Sequence, residues 1–192
     1  MTIAAYIVVA AAMSITDMLL FRRCAEPYPV RLSTGLTIAL IVALVQTALY
    51  MTGIAIGDLL RLESTSNATM FSRPNAYISL GLFIIVILKL LLPYLRREPK
   101  LPTFNIQEMK PIVAMAFATG INMLLIGIAM GFASQIERNI HVATWPMLGM
   151  TFLFSYFGIM FGRQKVTMRP RRWMIVTCVL LLGTAIAAVI NS

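Results

Sequence analysis

Long apolar stretches without charged residues dominate the chain. Four of them contain no Asp, Glu, Lys or Arg, and they cover residues 32–57, 111–134, 142–162 and 173–190. A fifth, residues 1–20, is broken only by Asp17, and a sixth, residues 74–95, is interrupted by Lys89. Each stretch is close to or above the roughly 18–20 apolar residues that a helix needs to cross a ~30 Å hydrocarbon core. The pattern therefore predicts six transmembrane helices.

These stretches predict an all-α integral membrane protein with a single transmembrane domain over residues 1–192. Short alternating segments, which are typical of a membrane β-barrel, are not the pattern of this chain. The helices are predicted at about 2–21, 32–60, 75–95, 111–134, 142–162 and 173–190. The alternative for the first stretch is a cleaved signal peptide. A retained helix is favoured because no positively charged segment precedes it and because Arg22 and Arg23 follow it.

The distribution of positive charge predicts the topology. The chain is 59% hydrophobic and 12% charged, with a net charge of +9, whereas a soluble domain is about a quarter charged. All but three of its sixteen Lys and Arg residues lie at or between the ends of helices 1 and 2, 3 and 4, or 5 and 6; the exceptions are Arg61, Arg73 and Arg138. Positively charged connections stay cytoplasmic. These three connections, including the basic loop 96–110, are therefore predicted inside, both termini are predicted periplasmic, and the bilayer rather than nucleic acid is the predicted partner.

The two halves of the chain resemble each other at a single offset of 105 residues. The residue pairs in register are Asp17 with Asn122, Ser14 with Thr119, Gln46 with Thr151, Tyr50 with Ser155, Gly53 with Gly158, and Gly57 with Gly162. Three helices per half require the second half to enter the membrane from the opposite side. We therefore predict two inverted three-helix repeats, 1–95 and 111–192, an architecture in which transporters bind substrate between the repeats near mid-membrane.

Asp17 is the strongest candidate for a functional residue. A carboxylate within a transmembrane helix costs about 2.5–3.5 kcal/mol on insertion, so it normally faces a cavity, the bundle interior or a partner. The alternative is an ion pair with Arg22 or Arg23, about one and a half helical turns away. The functional interpretation is favoured because Asn122 repeats the position in the other half.

Other polar side chains are predicted to share a pathway with Asp17. The predicted pathway residues are Asp17, Asn122, Gln46, Met13, Ser14, Thr119, Thr151 and Ser155. Asp17 and Asn122 are the predicted metal ligands, since oxygen ligands suit hard divalent cations such as Mn²⁺, while the Met13 thioether would favour softer metals. For the uncharged members, the alternative is hydrogen bonding between helices, worth about 0.6 kcal/mol each.

Glycines and methionines complete the candidate list. The glycine pairs Gly53/Gly57, Gly127/Gly131 and Gly158/Gly162 have the small-xxx-small spacing that allows close helix approach. We predict packing within the bundle, with a homodimer face as the alternative. The fourteen methionines are interpreted as filler at apolar positions, without the clustering that a thioether relay needs. No catalytic motif is recognised, so an enzyme is not predicted, and no cofactor is expected.

These residues resemble the MntP-type manganese efflux pumps, a bacterial family within the lysine-exporter superfamily. The similarity runs through Ala12–Ser14 with Asp17, Thr34–Leu36, Gly53 and Gly57, Ala118–Thr119 with Asn122 and Gly127, and Gly158–Arg163. The family pattern has carboxylates at the positions of Thr16, Gln46 and Asn122. This chain therefore retains one intramembrane carboxylate, Asp17, displaced by one position.

The resemblance implies a small secondary transporter in the bacterial inner membrane that exports a divalent cation such as Mn²⁺. Two alternatives remain open at this point. Amides and hydroxyls in place of carboxylates favour an amino acid or another small solute as the substrate. A non-transporting membrane subunit would keep the fold and lack the ion site.

Overall fold

The computed structural model describes residues 3–27, 30–60, 68–95, 105–106, 108–133, 140–164 and 170–190. Within these residues lie six helices, α1 (Ile3–Ala25), α2 (Leu32–Leu60), α3 (Ala68–Leu95), α4 (Met109–Ala133), α5 (Ile140–Arg163) and α6 (Pro170–Ile190). Each helix is long and apolar enough to cross a membrane. The prediction of an all-helical chain with six spans is confirmed, and the chain is a multi-pass membrane protein.

Helix α2 illustrates how the sequence satisfies both lipid and protein. Leu36, Leu40 and Leu44, one turn apart, are all exposed, whereas Gln46 and Gly53 on the other side of the helix are buried. An apolar exposed surface is unfavourable in water, and a helix that is apolar on all sides is typical of a membrane span. The exposed leucines therefore form a lipid-facing surface, while small and polar residues face the bundle.

Four helices form the centre of the bundle, and two pack against it. The most extensive contacts join α1 to α5 and α2 to α4, and α2 also packs against α5. Helices α3 and α6 pack against each other, α3 also against α4, and α6 also against α1. Helix α1, which carries Asp17, is the most buried of the six spans, and α3 is the least buried.

Two apolar clusters fill the interior at different depths. The first, here the Met13 cluster, includes Tyr6, Val9, Met13, Tyr50, Ile54, Met123, Ile126, Met130, Ala143, Met147 and Leu181. The second, here the Phe21 cluster, includes Phe21, Cys24, Ala25, Ile38, Val42, Ile112, Met115, Ala116 and Ile159. Along the chain, α1 and α5 pass from the Met13 cluster to the Phe21 cluster, and α2 and α4 pass the other way.

The connections between helices contribute to one end of this interior. Val30, between α1 and α2, and Ile106, between α3 and α4, are both buried in the Phe21 cluster. Within the segment expected to be a basic loop, 96–110, residues 96–104 and 107 lie outside the described residues, and α4 begins at Met109. Val30 and Ile106, one from each of two connections that carry basic residues, therefore lie at the same end of the bundle.

Helix α1 continues past residue 21 to Ala25. Cys24 and Ala25 are buried, and a Cβ at Gly162 of α5 would meet the Ala25 side chain at 2.7 Å. This packing keeps the segment with Arg22 and Arg23 helical, because the apolar residues of the last turn are buried against α5.

Candidate functional site

A layer of polar side chains lies near the middle of the four central helices. We define the polar layer as Ser14 and Asp17 of α1, Gln46 of α2, Thr119 and Asn122 of α4, and Thr151 and Ser155 of α5. Ser14, Asp17, Gln46, Thr151 and Ser155 have no exposed surface. Burying polar groups at this depth is costly unless they find partners.

Apolar residues bound the polar layer on both sides. One helical turn away in the Met13 cluster lie Met13, Tyr50, Met123 and Met147. On the other side, the Phe21 cluster contributes Phe21, Val42, Met115 and Ile159. These residues lie one turn from Asp17, Gln46, Thr119 and Ser155, respectively. The polar layer is thus enclosed between apolar side chains in this conformation, which is the arrangement of an occluded site.

The Gln46 side chain connects three helices. Its Nε2 donates to Oδ1 of Asp17 at 3.1 Å and to Oγ1 of Thr119 at 2.7 Å. An amide NH₂ has two hydrogens, so both are used, and Gln46 links α1, α2 and α4. Thr119 in turn donates to a backbone carbonyl of its own helix, that of Met115 at 3.0 Å.

A second polar contact joins α1 to α5. The hydroxyls of Ser14 and Thr151 lie 3.3 Å apart, within hydrogen-bonding distance. Ser14 also donates to the Ala10 carbonyl at 2.7 Å, so Thr151 is the donor to Ser14 when that bond is formed. Ser14 and Asp17 are three residues apart and so lie on one face of α1, yet they contact different neighbouring helices.

Several buried oxygens at this level have no partner. Asp17 Oδ2, Gln46 Oε1, Asn122 Oδ1 and Ser155 Oγ form no hydrogen bond with any described residue. A buried acceptor left unsatisfied costs about 1–3 kcal/mol, and more when it is charged. Four such oxygens in one layer indicate a place where water or a cation supplies the missing interactions.

The carboxylate of Asp17 is not paired with a described basic side chain. Its interactions are the single bond from Gln46 to Oδ1 and an unpartnered Oδ2. The alternative interpretation, an ion pair with Arg22 or Arg23, is therefore not supported in this conformation. The neighbouring Thr16, where the family pattern has a carboxylate, bonds to the Met13 carbonyl of its own helix at 2.6 Å.

The remaining predicted pathway residues occupy different environments. Met13 is buried in the Met13 cluster and belongs to the apolar boundary of the layer. Asn122 is half-buried, and its Oδ1 is buried without a partner, so no described hydrogen bond joins it to Asp17. The structure thus brings together Asp17, Gln46 and Thr119, and separately Ser14 and Thr151, while Asn122 and Ser155 leave oxygens unoccupied.

The paired glycines lie where helices cross at closest approach. A Cβ at Gly53 or Gly57 would collide with the Leu124 or Ile128 carbonyl of α4, and one at Gly127 or Gly131 with the Tyr50 or Ile54 carbonyl of α2. A Cβ at Gly158 or Gly162 would collide with the Met18 or Arg22 carbonyl of α1. All six glycines therefore serve packing within the bundle, as small residues do in membrane proteins.

Five further buried polar residues in the described part of the chain were not anticipated from the sequence, namely Thr47, Asn75, Ser79, Thr177 and Thr184. Thr47 of α2 and Ser79 of α3 are buried, and their hydroxyl oxygens have no partner among the described residues. Thr47 adjoins Gln46, which is a signal that sequence reasoning could have used. Ser79 falls at the offset of 105 residues on Thr184 of α6, which is also buried, so the comparison of the two halves could have marked it.

The donor set limits the chemistry that the layer supports. No group of three or more His, Cys, Asp and Glu side chains that could hold a metal occurs in the described ranges. The layer instead offers one carboxylate, two amides and four hydroxyls. Oxygen ligands of this kind suit a hard cation that is bound weakly enough to be released.

Comparison with known proteins adds one match. Residues 29–189, which cover α2 to α5 and all but the last residue of α6, match the family model described as "Putative manganese efflux pump". Helix α1 with Asp17 precedes the matched segment. No curated protein and no solved structure has a significant match to the chain.

Proposed function

The chain belongs to the MntP family, and from this membership we propose that it is a secondary transporter that exports a divalent cation such as Mn²⁺ across the bacterial inner membrane. The observation that carries the proposal is the buried Asp17 Oδ2, which has no hydrogen-bond partner among the described residues. A buried carboxylate within a membrane helix is costly and is retained where it serves a substrate or ion pathway. The cation would complete the interactions of this oxygen and of its unpartnered neighbours.

The helix pairing supports an inverted repeat. We exchange α1 with α4, α2 with α5, and α3 with α6. The contact between α1 and α5 then maps onto the contact between α4 and α2. The contact between α1 and α6 likewise maps onto the contact between α4 and α3. Every major helix contact is matched in this way. A pseudo-two-fold axis in the membrane plane has this effect, and such repeats place the substrate site at their interface.

The polar contacts follow the same symmetry. Ser14 and Thr151 correspond at an offset of 105 to Thr119 and Gln46, and both pairs are in hydrogen-bonding contact. The Ser14 and Thr119 hydroxyls also bond equivalent carbonyls, those of Ala10 and Met115. The repeat therefore accounts for two of the three interhelical contacts of the layer.

The glycine crossings support a repeat whose register differs by one residue between the polar contacts and the crossings. Gly53 faces the Leu124 carbonyl, and its counterpart Gly158, 105 residues later, faces the Met18 carbonyl. Leu124 and Met18 are 106 residues apart, one more than the offset of the glycines. At an offset of 105 residues Asn122 corresponds to Asp17, and at an offset of 106 residues it corresponds to Thr16. The two halves are thus related but not identical at the carboxylate, which leaves the layer with a negative charge on one side only.

The basic connections support a cytoplasmic Phe21 cluster and periplasmic termini. Val30 and Ile106, from two connections that carry basic residues, lie in that cluster. Basic connections remain in the cytoplasm. In this orientation an exported ion leaves the polar layer through the Met13 cluster.

Two other functions follow from specific observations. The layer holds one carboxylate among amides and hydroxyls, which favours a small neutral or zwitterionic solute as the alternative substrate. The polar layer is enclosed by apolar side chains, which favours a non-transporting membrane subunit. Metal transport ranks first because four buried oxygens of the layer have no hydrogen-bond partner among the described residues.

The test is metal resistance in a host that lacks its own exporter. Expression of the wild-type chain should raise the Mn²⁺ concentration that the host tolerates, and Asp17→Asn should abolish this gain at equal membrane abundance. Asp58→Asn is the matched control, because Asp58 is exposed at the end of α2. No resistance to Mn²⁺, Cd²⁺, Co²⁺ or Zn²⁺ from the wild-type chain would overturn the proposal.

A further inference from the structure

Methionines border the polar layer on one side. Met13 precedes Asp17 by one turn, Met123 follows Thr119 by one turn, and Met147 precedes Thr151 by one turn. Each is 1% exposed, and all three belong to the same cluster of buried side chains. Three methionines that are distant along the chain thus lie one turn from the layer, on the same side of it.

The opposite side of the layer has a different composition. There the adjacent turns carry Phe21, Val42, Met115 and Ile159, so a single thioether stands among hydrocarbon groups. Methionine thus occupies three of the four adjacent-turn positions on the first side, which are Met13, Tyr50, Met123 and Met147, and one of the four on the second. Irregular filling of gaps does not require this difference.

The polar layer adds a charge and open coordination positions to these thioethers. Asp17 is its only charged member, and its Oδ2 has no partner within the described part of the chain. One carboxylate balances one positive charge, so a monovalent ion in this layer is neutralised without a second charged ligand. Thioether ligands select soft cations such as Cu(I).

We infer that this site also accepts soft monovalent metal ions of the Cu(I) and Ag(I) class, which bind Asp17 and pass along the Met13, Met123 and Met147 thioethers. This inference rests on the proposed transport function, since it assigns a second substrate class to the same layer. Mn²⁺ prefers oxygen ligands and would not depend on the sulfur atoms. Substitution of the methionines therefore separates the two substrates.

The experiment uses the full-length chain reconstituted in lipid vesicles, with Ag⁺ and Mn²⁺ as probes. The buried thiols of Cys24 and Cys178 would also bind Ag⁺, so all proteins carry Cys24→Ala and Cys178→Ala. The parent should transport both ions. The double variant Met123→Leu/Met147→Leu should lower the ratio of Ag⁺ to Mn²⁺ transport by about tenfold, the loss expected when groups that support a metal site are removed.

Met115→Leu is the matched control, because Met115 borders the layer from the other side. Its ratio should equal that of the parent. Leucine replaces methionine with little change in volume, so both variants are expected to fold. An unchanged ratio in the double variant, or an equal fall in the control, overturns the inference.

X-ray absorption by Ag⁺ bound to the purified parent protein provides a test that needs no methionine variant. Sulfur neighbours around Ag⁺ are expected, and a shell of oxygen and nitrogen alone overturns the inference. Mn²⁺ transport without Ag⁺ transport also overturns it while leaving the proposed function intact. Ag⁺ transport without Mn²⁺ transport instead removes manganese from the proposed function and leaves the soft-metal site.

Discussion

Gln46 donates a hydrogen bond from Nε2 to Oδ1 of Asp17 over 3.1 Å, deep within the bundle. The same nitrogen donates to Thr119, so the amide cannot offer another hydrogen to Asp17 Oδ2. The carboxylate is thereby oriented by one neighbour and left with one unpartnered oxygen. Gln46 thus holds Asp17 in position without neutralising its charge.

Gln46→Glu should increase the affinity for Mn²⁺. The substitution places a second carboxylate beside Asp17, and at ~4 Å from a divalent ion one added charge contributes about 8 kcal/mol at the effective dielectric constant of a protein. Part of this gain is lost to repulsion between the carboxylates, so we expect about a tenfold tighter dissociation constant by calorimetry. Unchanged or weaker Mn²⁺ binding would show that charge does not limit the site.

Gln46→Leu should destabilise the protein. The substitution removes the only described partner of Asp17 and leaves a buried carboxylate wholly unsatisfied, at a cost of about 1–3 kcal/mol in the free energy of unfolding. Denaturant titration of the purified protein in detergent measures this loss. Thr37→Val, on the exposed side of the same helix, is the control. Equal stability of the two variants would contradict a structural role for Gln46.

Gly53→Ala should weaken the crossing of α2 and α4. The new methyl group would collide with the Leu124 carbonyl. The backbones of α2 and α4 then have to move apart, because a carbonyl within a helix cannot rotate away. We expect a loss of about 1–3 kcal/mol in the free energy of unfolding, as for overpacked cores. The measurement is the same denaturant titration in detergent.

Gly81→Ala provides the matched control for this crossing. A Cβ at Gly81 of α3 would meet no atom within 4 Å. Alanine is the better helix former, so stability should stay constant or rise by up to about 1 kcal/mol. Comparable destabilisation by both substitutions would show that close approach is not the reason for glycine at position 53.

Cysteine labelling should locate the two ends of the bundle on opposite sides of the membrane. Glu108 and Asp58 are exposed, and they lie at the start of α4 and the end of α2. In a chain with Cys24→Ala and Cys178→Ala, a membrane-impermeant maleimide added to intact cells should label Asp58→Cys but not Glu108→Cys. The reverse pattern would contradict the predicted orientation.

Much of the fold was predictable because a membrane constrains helices strongly. Charge-free runs such as 32–57 had to be helical, since the backbone must satisfy its own hydrogen bonds in lipid. The glycine spacing likewise predicted close crossings, and the structure identifies the partners, such as Leu124 for Gly53. The ends were less predictable: α1 continues to Ala25 because that residue packs against α5, a contact that the local sequence does not reveal.

The candidate site was predictable in membership but not in its contacts. Sequence reasoning selected Asp17, Gln46 and Thr119, yet the bonds that join them span 29 and 73 residues along the chain and depend on how the helices pack. For the same reason the methionines were interpreted as scattered filler. Met13, Met123 and Met147 lie far apart in sequence, and only the packing of α1, α4 and α5 brings them to the same side of the polar layer.

The central claim is that Asp17 binds the exported cation within the polar layer, and Mn²⁺ flux into vesicles reconstituted with the purified chain tests it most directly. Wild type and Asp58→Asn should transport Mn²⁺ at similar rates. Asp17→Asn, which keeps the shape and can still accept a hydrogen bond from Gln46, should lose both transport and Mn²⁺ binding while its unfolding transition is retained. Equal Mn²⁺ flux through wild type and Asp17→Asn would contradict the claim.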